Sequence, residues 1–518
     1  MRSLLLGATA LALLTACGGG DKKDEVEIVT ASPEDVAAAL ADMALNESEA
    51  GAVAFDGSTV SDGKAVFNNF SAVIDEDEGL KLTADTLTLN GLHMTEDGGN
   101  FSTMAFENLK LADDGGDATM TIGALNVESP SPALGAWMAD LMETGEPGEM
   151  PDLEELSFKT MNFSGLSFSG GDNEEDGTKG TMTIGSFALD GFKAGDLDKY
   201  SLDDLALSFS DPYEGMNFAA KVDLMEVIGL KKSQTQGFLI GTQSTDMTPE
   251  EQAAALSKLS EGSPLDPGYE SVSVNGLDVN VNGIAITSTP IKANVDYNKA
   301  GVATASETEK FTMTMKADPS GQFGAQVAPI LSILELDQVE MTSASKYKID
   351  VAGDSMTGAA KDNYLEIKDV VTLSLGLEAG GLADYQKEAL SAAGLVDQNP
   401  LAMLGALQKL QVGGFELGLD DQGLVEKALT MASLQMGQDK EMLRQQAMGG
   451  VAFLPAMAGQ AGVDAVIAQE LAEALRTFLE NPGKLTLKLD PAEPLTGELF
   501  GDPTQLTKDR LGFSASAE

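Results

Sequence analysis

Thr119-Met-Thr-Ile-Gly-Ala-Leu-Asn-Val127 and Thr181-Met-Thr-Ile-Gly-Ser-Phe-Ala-Leu189 decide how this chain is read. Their first five residues are identical. Both carry apolar side chains at the spacing apolar-x-apolar-x-x-apolar-x-apolar: Met120, Ile122, Leu125 and Val127 in one, Met182, Ile184, Phe187 and Leu189 in the other. Alternation of this kind marks a strand with one buried face. The additional residue in the middle reads as a switch of faces, of the sort a β-bulge or a strand bend makes. Leu82, Ala84, Leu87 and Leu89 keep the spacing, as do Val272, Val274, Leu277 and Val279, and Leu365, Ile367, Val370 and Thr372 keep it in part. Asp85, Gly123, Gly185 and Asn275 stand near the step, residue types that tolerate irregular backbone.

A second element precedes the first. Phe101-x-Thr-Met-x-Phe-x-x-Leu-x-Leu111 recurs as Phe158-x-Thr-Met-x-Phe-x-x-Leu-x-Phe168, and acidic, glycine-rich segments at 112–117 and 170–177 join the two elements. The corresponding segment of an earlier unit is 75–79. Two shared elements in the same order identify a duplicated hairpin. The expected fold is therefore mainly β, with elongated, repeated antiparallel β-hairpin units over 52–380. A solenoid is the other architecture that repeats serve. Met161-Asn-Phe-Ser-Gly-Leu-Ser-Phe-Ser-Gly170 scans as two pentapeptide steps, but the series stops there, which favours the sheet.

Beyond residue 380 the texture changes to an α+β, helix-rich C-terminal part, 381–518. Helices are expected over 382–395 and 400–410, a strand over 412–419, and a helical stripe at Leu424, Val425, Ala428, Leu429 and Ala432. The clearest helix is 463–480, with Val463, Ile467, Leu471, Leu475 and Phe478 on one face and Asn481-Pro-Gly483 as its stop; 484–489 then returns as a strand. Met431, Met436, Met442 and Met448 are expected to fill core rather than to form an adaptable exposed surface. Before the repeats, Ser32-Pro33-Glu34-Asp35 supplies a cap, a proline at the first helical position and two acids for the helix's positive end, so a helix is expected within 32–51.

The amino end is of another kind. Arg2 is followed by an apolar run from Leu4 to Leu14, too short to span a bilayer but suited to an export signal. Leu14-Thr15-Ala16-Cys17 resembles the lipobox of bacterial lipoproteins. That resemblance implies that 1–16 is a signal peptide, that Leu14, Thr15 and Ala16 are read by its peptidase, and that Cys17 carries lipid. Cys17 is the only cysteine, so it has no disulfide partner in the chain. Residues 17–31 read as a flexible tether, rich in glycine and charge. The resemblance implies a lipid-anchored protein of the cell envelope, and Gly18, where an Asp would signal inner-membrane retention, points to the outer membrane facing the periplasm. The strand texture of 52–375 resembles AsmA-like envelope proteins, which are thought to handle lipid or outer-membrane assembly. The chain departs from them in having a lipobox where they have an amino-terminal transmembrane helix.

Charge and composition narrow the chemistry. A formal net charge of −50 repels nucleic acid and anionic headgroups. His93 is the only histidine, which excludes His–Cys metal sites, and with no free cysteine beyond Cys17 there is no cysteine protease. A Ser-His-Asp triad has only His93 to use and no Gly-x-Ser-x-Gly elbow beside it, so His93 reads as an ordinary strand-end residue. Phosphate-binding loops of the Walker and dinucleotide types are missing. With 82 acidic residues, close carboxylate pairs arise by accident and identify no glycosidase. Asp172, Glu174 and Asp176 before Gly177 imitate the start of a calcium loop, but Thr183 stands where the closing glutamate belongs, so a solvated turn is expected. No catalytic residue, metal or cofactor is expected. The expected partners are a membrane, through the lipid, and an envelope protein or lipid. The expected role is structural or interaction-based and non-enzymatic; the alternative is binding or transfer of a hydrophobic ligand by an AsmA-like curved sheet, and a continuous apolar groove discriminates between them.

Overall fold

A computed structural model describes residues 28–46, 53–75, 80–112, 118–144, 150–171, 179–211, 215–235, 265–393, 402–460, 462, 464–497, 499 and 505–518. The expected signal peptide, Leu14, Thr15, Ala16 and Cys17 lie outside the described residues, as do most of the acidic segments at 75–79, 112–117 and 170–177. The chain is mainly β and antiparallel, with helices in its C-terminal region. It forms two compact units, one within Met1–Thr242 plus Ser271–Asn282 and one within Gln243–Glu270 plus Gly283–Glu518.

In the first unit, β1 (Val53–Ala54) and β2 (Gly57–Ser61) both pair with β3 (Lys64–Asp75), which pairs with β4 (Leu80–Asn90). A small ribbon follows, β5 (His93–Met94) with β6 (Gly99–Asn100). The meander resumes with β7 (Thr103–Ala112) on β4, then β8 (Ala118–Glu128), β9 (Ser157–Gly171), β10 (Lys179–Lys193), β11 (Leu197–Asp211) and β12 (Met216–Leu230), each pairing with the one before it. Both β13 (Ser271–Asn275) and β14 (Asp278–Val281) pair with β12.

The duplication seen in the sequence is a duplication of register. Met104, Phe106, Leu109 and Leu111 of β7 face Val127, Leu125, Ile122 and Met120 of β8. At the same spacing Met161, Phe163, Leu166 and Phe168 of β9 face Leu189, Phe187, Ile184 and Met182 of β10. The mid-strand step is also in register across the whole unit. Each ladder brings the step residues opposite one another, so that Asn69, Asp85, Asn108, Gly123, Gly165, Gly185, Asp204, Asp223 and Gly276 form one row from β3 to the break between β13 and β14. On every second strand the residue is left-handed: Asn69, Asn108, Gly165, Asp204 and Gly276 have φ between 51° and 67°. Only Gly, Asn and Asp adopt that backbone cheaply, which is why these five positions hold nothing else. The step does not switch faces, contrary to the sequence reading. Leu82, Ala84, Leu87 and Leu89 are all buried in one core, while both residues at the step of β7, Glu107 and Asn108, are exposed. The left-handed residue turns the chain so that the alternation restarts toward the same side. Asn275 lies one position from the row, which Gly276 occupies.

The core under this sheet is continuous. It takes in Phe67, Leu87, Met104, Ile122, Phe163 and Leu189 from the strands, Val36, Ala39 and Leu40 from α1 (Pro33–Asp42) with Met43 just after it, and Leu134, Met138, Ala139 and Met142 from α2 (Pro132–Thr144). Helix α1 begins as its sequence dictates, with Ser32 Oγ accepting from Asp35 N at 3.1 Å, but ends by Met43, well short of residue 51. Its far end is fixed by Asp42 Oδ2, which accepts from Gly99 N at 2.7 Å. The tether is docked before it reaches residue 31, because Val29 N donates to the buried Ser102 Oγ at 2.9 Å. Helix α2 lies inside the span read as β, and its only local signal is Ser131 Oγ accepting from Leu134 N ahead of Pro132.

The second unit starts with β15 (Ile284–Ser288) and β16 (Ile291–Tyr297), both paired to β17 (Ala303–Ala317). After α3 (Gln322–Ile333) come β18 (Val339–Asp350), β19 (Ser355–Gly358), β20 (Tyr364–Ile367) and β21 (Val371–Gly380). Strand β18 pairs with β17, β19 and β20, and β21 pairs with β19 and β20. Helices α4 (Leu382–Ala393) and α5 (Ala402–Leu407) lead to β22 (Gln411–Asp421), which pairs with β21. Then follow α6 (Leu424–Met436), α7 (Lys440–Ala452), α8 (Leu454–Gln460), α9 (Ala465–Glu480), β23 (Lys484–Leu489), β24 (Leu495–Thr496), α10 (Lys508–Leu511) and β25 (Ser514–Ala517). Strands β23 and β24 pair with β22, and β25 with β23. The change of texture at residue 380 thus falls inside this unit, between the paired strands β21 and β22. Two readings need correction here. Leu365-x-Ile367-x-x-Val370-x-Thr372 is a reverse turn between β20 and β21, with Asp369 at φ 60° and Val370 N donating to Ile367 O, and not a step within one strand. Helix α3 also lies in the span read as β; it contains Pro329, has no side-chain cap and carries no charge, so nothing local announced it.

Leu87 is fully buried in the first unit's core. Leu87→Ala is expected to destabilise that unit by about 2–5 kcal/mol through lost transfer energy and residual cavity. Urea unfolding followed by fluorescence of Trp137, the only tryptophan, which sits on α2 against that core, measures the loss.

Candidate functional site

The second unit arranges its strand side chains in cross-strand rows. Leu365 of β20 faces Leu373 of β21, which faces Leu419 of β22, which faces Leu485 of β23. Beside it run Leu375, Leu417 and Leu487, and Leu377, Phe415 and Leu489. Toward β17 the same face continues through Met341 opposite both Met313 and Ile367, and through Val339 opposite Met315. Strand alternation puts all of these on one side of the sheet.

Charged groups and most hydroxyls are sorted to the other side, while Ser343, opposite Phe311 and Leu365, stands on the apolar face. On the charged side Thr312 and Thr342 share a hydrogen bond of 2.9 Å, and Glu340 receives Lys368 Nζ at 2.9 Å and Gln338 Nε2 at 2.6 Å. These bonds, the Lys368 one foremost, hold the Glu340 carboxyl below the ordinary glutamate value, and the pairing with Glu340 raises Lys368. Lys346 is likewise raised, first by its hydrogen bond to Glu307.

Helices cover one end of the apolar face. Val425 of α6 and Ala474 and Phe478 of α9 bury Leu485, with Leu419, Leu429, Leu475, Leu479 and Leu487 packed around them. A neighbouring cluster joins Ile467, Leu495, Leu499 and Leu511. Among the described residues, neither cluster includes Met313, Met341, Leu365, Ile367, Leu373 or Leu375. Those six are half-buried or exposed, with Leu373 and Leu375 each 36% exposed in the middle of a sheet. The exposed pair lies on β21, in a face that continues through half-buried side chains across β20, β18 and β17, an apolar strip roughly 14 Å wide at ~4.8 Å per strand spacing. At its margin, Lys427 Nζ at the start of α6 donates to Leu334 O at the end of α3 at 2.7 Å.

The covering helix is clamped by ions. Glu470 of α9 pairs with Lys508 of α10, and its Oε1 accepts from Ala515 N of β25 at 3.1 Å. Asp464 caps α9, accepting from Val466 N and from Lys508 N at 2.9 Å each. The hydrogen bond from Lys508, more than any other influence, lowers the Glu470 carboxyl.

Other places offer less. An open cleft of about 620 Å³ in the first unit is lined by Ser129, Lys159, Lys193, Asp196 and Asp198 beside the stacked rings of Phe158 and Phe192, 5.0 Å apart. Its charges are mixed, and no nucleophile–base pair is built into it. His93 Nδ1 lies 2.8 Å from Gly91 O of its own turn. Among the described residues no group of three His, Cys, Asp or Glu is placed to hold a metal. The residues expected to act, Cys17 with Leu14, Thr15 and Ala16, lie outside the described residues. The methionine expectation is corrected: Met436 and Met442 are 63% and 52% exposed instead of filling core.

The model of a protein family described as "Uncharacterized protein" matches residues 364–518. The match begins at the first residue of β20 and contains both helix-covered clusters, with the strands Leu365, Leu373 and Leu375 belong to. A comparison with curated proteins finds none that matches the chain.

Because its folded-state acidity is raised, Glu470 stabilises the fold above the ordinary glutamate value, 4.5, and ceases to do so as pH falls through its lower folded value. Glu470→Gln is expected to lower the urea midpoint at neutral pH. The gap from the parent chain is expected to narrow as pH falls below 4.5, which a pair of pH-dependent unfolding series measures.

Proposed function

We propose that this chain is a non-enzymatic, lipid-anchored protein of the bacterial envelope whose second unit takes up acyl chains on its apolar sheet face. The observation that carries this reading is the exposure of Leu373 and Leu375 in the middle of an apolar face that the C-terminal helices cover at one end only. Antiparallel sheets commonly present one face to water, but that face is then polar. Here the charged groups occupy one side and the other is mainly Leu, Ile and Met, with Ser343 among them. Flexible, uncharged side chains of this kind suit a ligand that offers methylene groups and no directed hydrogen bonds. Composition alone favours a structural or protein-interaction role; the half-open apolar face favours the hydrophobic ligand. The lipobox resemblance at Cys17 supports the anchor, and the net charge of −50 argues against nucleic acid as a partner.

Native mass spectrometry of the chain purified from its own membranes tests the uptake. Non-covalent lipid is expected on the parent chain, and Leu373→Glu with Leu375→Glu is expected to lower its occupancy roughly tenfold, because the new carboxylates must lose their hydration against the ligand. The anchor is read separately, by intact mass of the amino-terminal peptide, in which acyl chains on Cys17 are expected. A parent chain that carries no non-covalent lipid contradicts the uptake.

A further inference from the structure

The corner between α7 and α8 is built unlike the rest of the chain. From Gln445 to Val463 the sequence holds no charged residue, in a protein where 22% of residues are charged and the net charge is −50. At the corner, Phe453 is 67% exposed and Met457, one turn later, is 64% exposed. Met457 N donates to Phe453 O at 3.1 Å, so the two side chains rise from the same turn. Their neighbours along these two helices include the small residues Gly449, Gly450, Ala452, Ala456 and Gly459, all exposed. A Cβ built on Gly449, Gly450 or Gly459 meets nothing within 4 Å, so these glycines are not there to admit a packed neighbour.

We propose that this corner seats on an electrically neutral bilayer surface, inserting Phe453 and Met457 at the headgroup–acyl boundary. The proposal rests on the envelope reading, since it is the membrane-attached chain that meets such a surface. Charge selects the occupant. An anionic surface is repelled by the chain as a whole and finds no Lys or Arg here to attract it, so the corner is not the basic amphipathic helix that anionic lipid binds. A neutral lipid surface encounters no carboxylate that must be desolvated and gains the burial of two large apolar side chains. No helix among the described residues is long and apolar enough to cross a membrane, so the contact is one of lying on the surface.

Phe453→Trp in the full chain places a reporter at the corner, and Trp137 of the parent chain serves as the control. With vesicles of brominated phosphatidylcholine, the added emission is expected to shift to the blue and fall roughly twofold, since the bromines sit at the depth an interfacial helix reaches. Trp137 emission is expected to stay unchanged, and adding Met457→Glu is expected to abolish the quenching. Absence of quenching at any vesicle concentration overturns the proposal, as does quenching that is stronger with anionic phosphatidylglycerol vesicles. A blue shift that depends on protein concentration without vesicles also overturns it, because it assigns the corner to a second copy of the chain. Flotation of the parent chain with its native membranes reads the envelope reading on its own: a chain that floats but shows no quenching refutes the corner and leaves the anchor standing.

Discussion

Where the apolar alternation of the first unit slips by one residue, the backbone turns left-handed on every second strand, along a single row. That row, from Asn69 through Asn108, Gly165 and Asp204 to Gly276, fixes the register of the unit. A slip of one position in any pairing would move a left-handed residue opposite a bulky one and turn a buried row of side chains to water. Neighbours in the row are chosen to fit. Asn108 Nδ2 reaches Asp85 Oδ2 at 2.7 Å, and a Cβ on Gly185 would stand 2.9 Å from the Cβ of Asp204. The core of Phe, Leu and Met beneath the sheet exists because both halves of strands such as β4, β7, β8 and β9 face it.

The two units treat the same problem in different ways. A sheet with one apolar face must cover that face or leave it wet at a cost of about 25 cal/mol per Å² of apolar surface left in water. In the first unit α1 and α2 lie over the core, and Phe67, Leu87 and Leu89 have no exposure. In the second unit the helices close over Leu485 and Leu495 and stop. Leu373 and Leu375 are left in water, and so are Phe323, Ile330 and Ile333 on the uncharged α3. Exposed apolar side chains of this size are the ground on which the ligand reading is proposed.

Much of the first unit was legible because its signal is periodic. Thr-Met-Thr-Ile-Gly twice, with Phe-x-Thr-Met-x-Phe before each, gave strand identity, partner and register together. The direction of the step was misread because alternation alone does not show whether an extra residue reverses the faces or restores them; the sign of φ at Asn108 decides it. Ser32-Pro33-Glu34-Asp35 and the stripe of α9 declared their helices by caps and spacing. Helix α3 did not, because it has neither a cap nor charges to mark its ends. The open apolar face was invisible for a different reason: Leu365, Leu373 and Leu417 look like core residues in sequence, and only the extent of the covering helices shows that some of them are not. Met436 and Met442 were misassigned by the same logic.

The lipid reading proposed for the second unit makes its apolar strip a ligand surface and not merely a thinly packed sheet. Photo-crosslinking of the native chain with a diazirine-bearing fatty acid, followed by peptide mapping, tests it most directly. Labels concentrated on the strands bearing Met341, Leu365, Leu373 and Leu375, and competed away by unlabelled fatty acid, are the predicted result. Labelling that is absent from those strands, or that excess unlabelled fatty acid does not reduce, would contradict it.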